Sequence, residues 1–318
     1  MTPKITVVIP LYNKEQYIAQ AIQSVLDQTY RNFELIVVDD GSTDKSQSIV
    51  SGITDSRIRL LTQPNSGVSV ARNSGIKNAK GEIIAFLDAD DQWEPTFLEK
   101  INELAEKYPE AGIYGTAYTV YSNDTFLRKN TWHPEQGDRI LESYYHDVAE
   151  YGSPLFHSSS FASPRKVLQF VNGYQEDYRS GQDHDLYGRI ALYYPIAYSP
   201  SICSRYNAGI AGNHDRISYA REVPLERYFL SLPEEVQSKY LERSDFKYYM
   251  NFYYLKIGGI NVYGGFRNEG RSQLIKVSDK SMQIKKYMFI LLSYIPISMS
   301  VIPPSIARTI GKLLKLAT

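Results

Sequence analysis

The chain has 318 residues, of which 43% are hydrophobic and 22% are charged, and these proportions are typical of a folded globular protein. The formal net charge is zero, and the single cysteine, Cys203, excludes an intrachain disulfide framework and argues against a structural zinc site. Residues Met1–Lys4 lead into an apolar run with no signal-peptide pattern, so we expect a cytoplasmic protein of one large domain with an extension, or of two domains.

The first 120 residues alternate between short apolar runs and segments with helical periodicity. Continuous apolar runs indicate strands that are covered on both faces, and short strand–helix connections indicate parallel crossovers. We therefore predict an α/β fold with a mostly parallel, Rossmann-like central sheet flanked by helices. The predicted strands cover residues 5–9, 33–38, 58–61 and 83–87, and the predicted helices cover residues 14–28, 43–52, 68–79 and 95–108.

The alternation of strands and helices ends after residues 113–121. Residues 122–180 are polar, rich in tyrosine and interrupted by glycine and proline, so we expect loops and short strands over the carboxyl edge of the sheet. A helix is predicted over residues 182–193. From about residue 223 the pattern is helical, with interruptions predicted at the glycine pairs 258–259 and 264–265.

Polar side chains follow three of the predicted strands at their carboxyl ends. Tyr12 follows the first strand, Asp39–Ser42 follow the second, and Asp88, Asp90 and Asp91 follow the fourth. Ligands of open α/β sheets bind beyond these ends. Crowded carboxylates need a cation between them, and hard oxygen ligands suit Mg²⁺ or Mn²⁺ that carries phosphates.

Several of these residues are suited to binding a nucleotide, and each also has a simpler interpretation. Tyr12 can stack on a nucleobase, and the Asp40 carboxylate can accept the N–H of a uracil-like ring. Arg72, about one turn into the helix after Gly67, is suited to a phosphate or ribose contact. Alternatively, Asp39 caps a helix, Arg72 forms a surface ion pair, and Tyr12 contributes to packing.

Four ordered segments lie at the strand ends and at the start of the third predicted helix: Val7–Asn13, Val37–Asp44, Gly67–Asn73 and Phe86–Asp91. In sequence and spacing they resemble glycosyltransferase family 2, the inverting enzymes of the GT-A fold. The resemblance extends to about residue 120 and resumes over residues 172–190, whereas the chain after about residue 220 is not covered. It implies a GT-A catalytic domain over residues 1–220, with a nucleotide-sugar-binding half (1–120) and an acceptor-side half (121–220), and a helical, basic extension over residues 221–318.

The resemblance implies a nucleotide-sugar donor, most often a UDP-sugar, bound together with a divalent metal, Mg²⁺ or Mn²⁺. Asp90 would ligate the metal, and Asp88 would contact the ribose, a metal-bound water or the metal itself. The metal would neutralise charge on the departing nucleoside diphosphate. The implied nucleotide-sugar contacts are Pro10, Tyr12, Asp39, Asp40, Arg72 and Asp88.

The resemblance also implies a general base at the start of the predicted helix 182–193. In the family an acidic pair opens this helix, but here Gln182 stands where glutamate is frequent, so Asp183 is the remaining carboxylate. Inversion in one displacement requires a carboxylate within hydrogen-bond reach of the acceptor hydroxyl, and a helix N-terminus favours its ionised form. We predict Asp183 as the base, with Asp185 as the alternative; a helix cap is the simpler interpretation.

Trp93 and the histidines leave alternatives open. Trp93 follows the acidic cluster and either stacks on an acceptor sugar or fills the core. His214 occupies a region where some family members place a histidine against the metal or diphosphate, although a solvent-facing loop histidine is the simpler interpretation. The remaining histidines show no metal-ligand spacing; they are His133, His146, His157 and His184.

The C-terminal segment is basic. From Arg271 to Thr318, eight basic residues oppose the single acid Asp279, so this segment carries +7 and the remainder carries −7. The apolar stretch 288–302 is shorter than the ~20 residues that span a bilayer, and residues 306–316 alternate apolar and basic residues at helical spacing. We expect peripheral contact with the inner face of the cytoplasmic membrane; packing on the protein or a homodimer contact are the alternatives.

The predicted function is inverting transfer of a sugar from a nucleotide-diphosphate sugar to a hydroxyl of a saccharide or lipid-linked saccharide, in polysaccharide or glycoconjugate biosynthesis. A sugar-nucleotide nucleotidyltransferase is one alternative, but it usually has a glycine-rich basic loop where this chain has Pro10–Lys14. The other alternative is a non-catalytic nucleotide-sugar-binding or scaffold protein, against which Asp88, Asp90 and Asp183 argue. Nucleic acid is not among the expected partners.

Overall fold

The computed structural model describes residues 3–122, 124–152, 154–178, 180–208 and 221–294. The described residues fall into two compact units, each built from separate stretches of the chain. The predicted domain boundary at residue 220 stays a prediction, because residues 209–220 lie outside the described part. The first unit is drawn from Met1–Glu142, Leu155–Asp177 and Asp185–Ala211, and the second from Ser143–Pro154, Tyr178–His184 and Gly212–Thr318.

The first unit is built around a ten-stranded sheet. Its strands are β1 (Ile5–Leu11), β2 (Phe33–Asp39), β3 (Ile58–Thr62), β4 (Ile83–Phe86), β5 (Gln92–Trp93), β6 (Ile113–Ser122), β7 (Thr125–Asn130), β8 (Arg139–Ile140), β9 (Phe161–Pro164) and β10 (Ile196–Asn207). Neighbouring strands follow the order β3-β2-β1-β4-β9-β6-β10-β5, while β7 pairs with β6 and β8 pairs with β10.

The sheet has a parallel half and a mixed half. Strand β1 is parallel to β2 and β4, β2 is parallel to β3, and β10 is parallel to β6. Strand β9 runs antiparallel between β4 and β6. The predicted α/β fold with a central sheet flanked by helices is thereby confirmed, and β7, β8 and β9 are short strands within the polar region 122–180, as expected.

The described helices, in chain order, are α1 (Ile18–Leu26), α2 (Ser46–Ser51), α3 (Val68–Asn78), α4 (Phe97–Lys107), α5 (Tyr144–Tyr151), α6 (Arg165–Phe170), α7 (Gln182–Ala191), α8 (Glu226–Ser231), α9 (Glu234–Glu242), α10 (Ser244–Tyr263), α11 (Arg267–Ile275) and α12 (Gln283–Leu292). Each helix predicted before residue 122 and over residues 182–193 is present, but α5 and α6 form in the region 122–180, where only loops and short strands were predicted. Helices α1 to α4 belong to the first unit, whereas α5 and α8 to α12 belong to the second.

The core of the first unit explains why these elements form. The buried residues of α1 are Ile18, Ala21, Ile22 and Val25, which recur at the helical spacing i, i+3, i+4 and i+7. Every residue of β1 and β2 is buried, as expected for strands covered on both faces. Full burial of each large aliphatic side chain contributes about 1.5–3 kcal/mol, so the sheet and its helices stabilise one another.

Helix α1 begins at Ile18, whereas the sequence predicted a start at Lys14. The difference arises because side chains from the connection after β2 bind the backbone just before α1. The N–H of Asn13 donates to Ser42 Oγ at 3.1 Å, and the N–H of Lys14 donates to Ser46 Oγ at 2.9 Å. Asn13 has a φ of +50°, in the left-handed region that asparagine tolerates better than most residues. The segment after β1 is thus fixed at the carboxyl edge of the sheet.

The described part of the second unit is helical. Helix α10 runs through Gly258 and Gly259, so the interruption predicted there is wrong. A Cβ on Gly258 would lie 3.1 Å from the carbonyl oxygen of Gly270 in α11, and a Cβ on Gly270 would lie 2.8 Å from the carbonyl oxygen of Gly258. These glycines allow α10 and α11 to approach closely, and this packing outweighs the low helix propensity of glycine. Helix α10 ends at Tyr263, immediately before the second predicted interruption.

The basic C-terminal segment is described only as far as Tyr294, so the predicted amphipathic segment 306–316 lies outside the described residues. Among the described helices, none is long and apolar enough to cross a membrane. Helix α12 exposes Ile284, Tyr287 and Leu291 by 85%, 62% and 67%. Their spacing of i, i+3 and i+7 places them on one face, so α12 presents an exposed apolar face.

Candidate active site at the strand ends

Polar residues of the first unit gather at the carboxyl edge of its parallel strands. Strand β1 lies between β2 and β4, and all three run in the same direction. Tyr12, Asp39–Asp40 and Asp88–Asp91 therefore follow three adjacent strands at one edge of the sheet. Tyr12 is 45% exposed and open to a stacking partner, whereas Pro10 is a buried residue of β1. These positions agree with the sequence analysis, while the roles of the residues remain predictions.

Asp88 is the centre of a buried polar cluster. Its Oδ1 accepts a hydrogen bond from Arg72 Nη2 at 2.7 Å, its Oδ2 accepts from Ser158 Oγ at 2.6 Å, and its N–H donates to Ser159 Oγ at 3.0 Å. Arg72 is 3% exposed, and its guanidinium carbon lies 5.0 Å from the centroid of the Tyr174 ring. Arg72 therefore forms a buried ion pair and not the surface ion pair considered from the sequence.

The charge of Asp88 follows from these contacts. Burial alone would raise the pKa of Asp88, but the charge of Arg72 and the hydrogen bond from Ser158 outweigh it and hold the pKa below its ordinary value. Asp88 is therefore ionised at neutral pH. Each carboxylate oxygen keeps a second lone pair, which suits a contact to a hydroxyl or a bound water.

Asp90 faces a lysine. The Nζ atom of Lys14 donates to Asp90 Oδ2 at 2.6 Å, and the two side chains are 28% and 21% exposed. Burial raises the pKa of Asp90, and the charge of Asp88 raises it further, whereas Lys14 opposes both effects. The family resemblance implied that Asp90 ligates the metal, but nothing in the sequence indicated its pairing with Lys14.

The acidic cluster offers few protein ligands to a divalent cation. Across the described ranges, no group of three or more histidine, cysteine, aspartate or glutamate side chains is placed to hold a metal ion. Mg²⁺ in nucleotide sites is commonly held by one or two carboxylates together with substrate phosphates and waters. Asp90 therefore fits a cation that binds together with a diphosphate, and Asp88 lies beside it with oxygens already held by Arg72 and Ser158.

Asp91 lies in a second layer of the cluster. Its Oδ2 lies 2.5 Å from Ser159 Oγ, and its Oδ1 accepts from the N–H of Asn207 at the end of β10 at 2.9 Å. Burial raises the pKa of Asp91 well above its ordinary value, and the charges of Asp88 and Asp90 add to this effect. Ser159 thus connects the backbone of Asp88 to the side chain of Asp91. Because Asp91 is also bonded to Asn207, the end of β10 is held beside the segment that follows β4.

His157 completes the buried layer as a neutral side chain. Its Nδ1 accepts from the N–H of Ser159 at 3.3 Å, and burial lowers the pKa of His157 to about 3. The neutral tautomer that fits this hydrogen bond carries its proton on Nε2, which is buried and has no hydrogen-bond partner within the described ranges. The rings of Tyr118 and Tyr206 pack against His157 at centroid distances of 4.3 and 5.0 Å.

The acidic turn after β2 is held by backbone groups. Asp40 accepts from the N–H groups of Ser66 and Gly67 at 2.9 and 2.8 Å and from the Gln63 amide at 2.8 Å. Asp39 accepts from the N–H of Ser42 at 3.1 Å and so closes the turn. It does not cap a helix, because α2 begins only at Ser46 and has no side-chain cap. Asp40 therefore fixes the loop that leads into α3.

A glycine is required in this turn. Gly41 has a φ of +75°, and a Cβ at this position would lie 2.8 Å from the backbone nitrogen of Asn65. Any other residue would meet both the left-handed conformation and this close approach. The Asp-Asp-Gly-Ser sequence of the turn is thus explained by backbone geometry at Gly41 and by hydrogen bonding at Asp40.

The candidate bases differ in their surroundings. Asp183 is the second residue of α7 and is grouped with the second unit, so its role as the base stays a prediction. Asp185 is fully buried and accepts from Arg189 Nε at 2.8 Å, and Arg189 also donates to the carbonyl oxygen of Val171 at 2.5 Å. Asp185 therefore stabilises the packing of the first unit. His214 lies outside the described residues.

Trp93 belongs to the core rather than to an acceptor surface. It is 4% exposed, its ring stacks on Phe97 at a centroid distance of 4.1 Å, and its Nε1 donates to the carbonyl oxygen of Ser159 at 2.7 Å. The packing interpretation is therefore correct. Ser158 and Ser159 themselves had no sequence signal, because they lie in the region predicted only as loops and short strands.

Comparisons with known proteins identify the family. The profile of Glycosyl transferase family 2 matches residues 6–171, a little over half of the chain. An uncharacterized glycosyltransferase of Nostoc sp. is 34% identical over 173 residues, which cover 53% of this chain and 53% of that protein. The glycosyltransferase GlyA of Streptococcus pneumoniae is 34% identical over 148 residues, which cover 46% of this chain and 21% of that protein. The chain thus spans about half, or less, of the length of these relatives.

The fold is also similar to that of solved structures. The crystal structure of S. aureus TarS 1–349 in complex with UDP-GlcNAc has a TM-score of 0.64 and 17% sequence identity, and the match covers 99% of this chain and 92% of that chain. At this identity the likeness concerns the fold. Together with the family match, which spans β1 to β9 and the acidic strand ends, it leads to one conclusion: this chain belongs to glycosyltransferase family 2.

Proposed function

We propose that this protein transfers a sugar, with inversion, from a nucleotide-diphosphate sugar to a hydroxyl group of a saccharide or lipid-linked saccharide. The observation that carries the proposal is the cluster at the strand ends, where Arg72 and Lys14 are paired with Asp88 and Asp90. Two carboxylates and two cations at one edge of an α/β sheet match the charges of a metal-bound diphosphate. A UDP-sugar is the favoured donor, because TarS, which has the same fold, was crystallised with UDP-GlcNAc.

The residues have distinct proposed roles. Tyr12, exposed at the edge, stacks on the base beside the turn that Asp39 and Asp40 form. Asp88, ionised and fixed by Arg72, orients the ribose or a bound water. Asp90 would hold a Mg²⁺ or Mn²⁺ ion, which would supply positive charge to the diphosphate of the leaving group.

Asp183 is the proposed general base. It lies in the first turn of α7, where the helix dipole favours the ionised carboxylate. Asp185 cannot share this role in the observed conformation because it is fully buried in its ion pair with Arg189. Asp183 would accept the proton of the acceptor hydroxyl as the new glycosidic bond forms.

The proposal is tested by release of UDP from a panel of UDP-sugars with the full chain and Mn²⁺, using water as the acceptor. Wild type is expected to release UDP from at least one sugar, and chelation of the metal is expected to abolish the release. Asp183→Asn should bind UDP with unchanged affinity but lose release by about 100-fold or more, the order expected for loss of a general base. Failure of wild type to bind any nucleotide sugar would contradict the proposed function. If Asp183→Asn released UDP at the wild-type rate, the proposed role of Asp183 as the general base would be contradicted.

We further propose that α12 contacts a membrane surface that carries a lipid-linked acceptor. Ile284, Tyr287 and Leu291 form an exposed apolar face, and they belong to a C-terminal segment with an excess of basic residues. Ile284→Glu is expected to reduce cosedimentation with vesicles containing anionic lipid. The matched control is Leu230→Glu, which changes an exposed leucine of α8 (60% exposed), and equal cosedimentation of the two variants would contradict the contact.

A further inference from the structure

Lys14 is positioned as a counterion to the carboxylate that is proposed to bind the metal. Its ammonium donates to Asp90 Oδ2 at 2.6 Å, and both side chains are largely withdrawn from solvent, with exposures of 28% and 21%. A charge-assisted hydrogen bond in such a partly buried setting is stronger than an ion pair on the open surface. Lys14 therefore neutralises the charge of Asp90.

The position of Lys14 is fixed by its backbone. The N–H of Lys14 donates to Ser46 Oγ, and the N–H groups on either side of it donate to Ser42 Oγ and Asp44 Oδ2 at 3.1 and 3.0 Å. Because the backbone is held at three successive residues, only the side chain of Lys14 is free to leave Asp90. The backbone of Lys14 is therefore fixed, whereas its ammonium group can move to another partner.

Both oxygens of the neighbouring carboxylate, Asp88, already have a partner. Asp88 already accepts from Arg72 at 2.7 Å and from Ser158 at 2.6 Å. Within the described residues, no set of three or more acidic, histidine or cysteine side chains is placed to hold a metal on its own. A divalent cation without a phosphate ligand would thus find one carboxylate, Asp90, and would compete with Lys14 for its Oδ2.

We propose that Lys14 is a built-in counterion that occupies Asp90 in the donor-free protein and so makes metal binding depend on the nucleoside diphosphate. A diphosphate adds oxygen ligands for the metal and negative charge for the released ammonium, so metal and nucleotide bind cooperatively. This inference rests on the proposed function only in taking Asp90 as the metal ligand. It adds an order of binding to that function: the metal enters with the donor.

The test is a titration of Mn²⁺ into the full chain without nucleotide, followed by the electron paramagnetic resonance signal of free Mn²⁺. Lys14→Met is expected to bind Mn²⁺ about tenfold more tightly than wild type, because one charge-assisted hydrogen bond no longer competes for Asp90. Lys14→Arg retains the charge and is expected to stay close to wild type. The double variant Lys14→Met/Asp90→Asn is expected to lose the gain.

Lys4→Met provides the matched control. Lys4 pairs with Glu82 at 3.4 Å just before β1 and β4, at the opposite edge of the sheet, so its loss also removes a lysine–carboxylate pair from the first unit. It should leave Mn²⁺ binding unchanged. Equal affinity of Lys14→Met and wild type, with both proteins folded by thermal melting, would overturn the inference, as would an equal gain in Lys4→Met.

The outcome is separable from that of the proposed function. The titration contains no nucleotide and requires no turnover, so tighter binding by Lys14→Met would support the inference even if no UDP-sugar were consumed. Conversely, UDP release by wild type together with unchanged Mn²⁺ binding in Lys14→Met would support the function and reject the counterion. With UDP present, the Mn²⁺ affinities of the two proteins are expected to converge to within about twofold, because the diphosphate supplies further ligands to the metal and a new partner to the released ammonium.

Discussion

The two acidic strand ends of the first unit satisfy their carboxylates in different ways. After β2, Asp40 accepts hydrogen bonds from two backbone N–H groups in the loop 63–67. After β4, Asp90 is held by the flexible side chain of Lys14. A backbone donor cannot leave without unfolding the loop, whereas an ammonium group can exchange its partner by rotation about side-chain bonds.

This difference distinguishes a residue that shapes the site from one for which we propose an exchange of ligands. Asp40 is 3% exposed and its bonds fix the entry to α3, so its carboxylate supports the loop. Asp90 is more accessible, and burial together with the charge of Asp88 raises its pKa, whereas Lys14 opposes this effect. Under this proposal, consecutive aspartates serve stability at one strand end and ligand exchange at the next.

The largest effect is expected from Asp90→Asn. Loss of the carboxylate charge should lower metal-dependent UDP release by about 100-fold or more, the order seen when one electrostatic contact to a transition state is removed. The melting temperature should stay close to that of wild type, because the lost partner, Lys14, can turn toward solvent. A large loss of stability without loss of turnover would show that Asp90 has a structural role and does not bind the metal.

Asp40→Ala is expected to act on stability first. It leaves the N–H groups of Ser66 and Gly67 without their carboxylate, and the expected cost is about 2 kcal/mol in the free energy of unfolding. Chemical denaturation of this variant and of Asp90→Ala measures the contrast directly. Equal unfolding free energies for the two variants would show that both carboxylates have the same structural role.

Ser159→Ala tests the layer beneath the site. It removes the bonds to the N–H of Asp88 and to the Asp91 carboxyl, so UDP release should fall about tenfold while UDP binding changes less. The control is Ser163→Ala in β9, which removes one buried hydrogen bond to the carbonyl oxygen of Gly112 at 2.7 Å. Both variants should lose about 1 kcal/mol of stability, and only Ser159→Ala should lose turnover. Equal loss of turnover would indicate a general packing effect.

The smallest effect is a pH-dependent change in stability for Asp91→Asn. Because the pKa of Asp91 is raised, the folded state holds this proton more tightly than the unfolded state. Its contribution to stability is therefore present at low pH and is lost as the pH rises above the ordinary range of an aspartate. Asparagine does not titrate and can retain the bonds to Ser159 and Asn207, so the variant should gain stability relative to wild type between pH 5 and pH 8. Chemical denaturation in EDTA at pH 5 and at pH 8 measures this difference. A larger gain in the stability of the variant at pH 5 than at pH 8 would contradict a raised pKa of Asp91.

The fold of the first unit was largely predictable because its signals are local. Buried strands and the apolar face of α1 follow directly from hydrophobic periodicity. The start of α1 was not predictable, since the N–H groups of Asn13 and Lys14 donate to Ser42 and Ser46, and these bonds override the helical pattern at Lys14.

The candidate site was predictable where it depends on motifs and not where it depends on long-range contacts. Asp88 and Asp90 directly follow a strand, so topology alone places them at the edge of the sheet. Ser158 and Ser159 reach the same cluster from about 70 residues further along the chain, through a segment without periodicity. The pairing of Lys14 with Asp90 also joins distant segments, and only the folded structure reveals it.

The binding of metal and donor at the strand ends can be tested by a structure of the full chain with UDP and Mn²⁺, with the metal located by anomalous scattering. We predict a Mn²⁺ peak within coordination distance of Asp90 and the diphosphate, the base beside Tyr12, and the Lys14 ammonium displaced from Asp90. A nucleotide bound away from the strand ends, or a Mn²⁺ ion that does not contact Asp90, would contradict it.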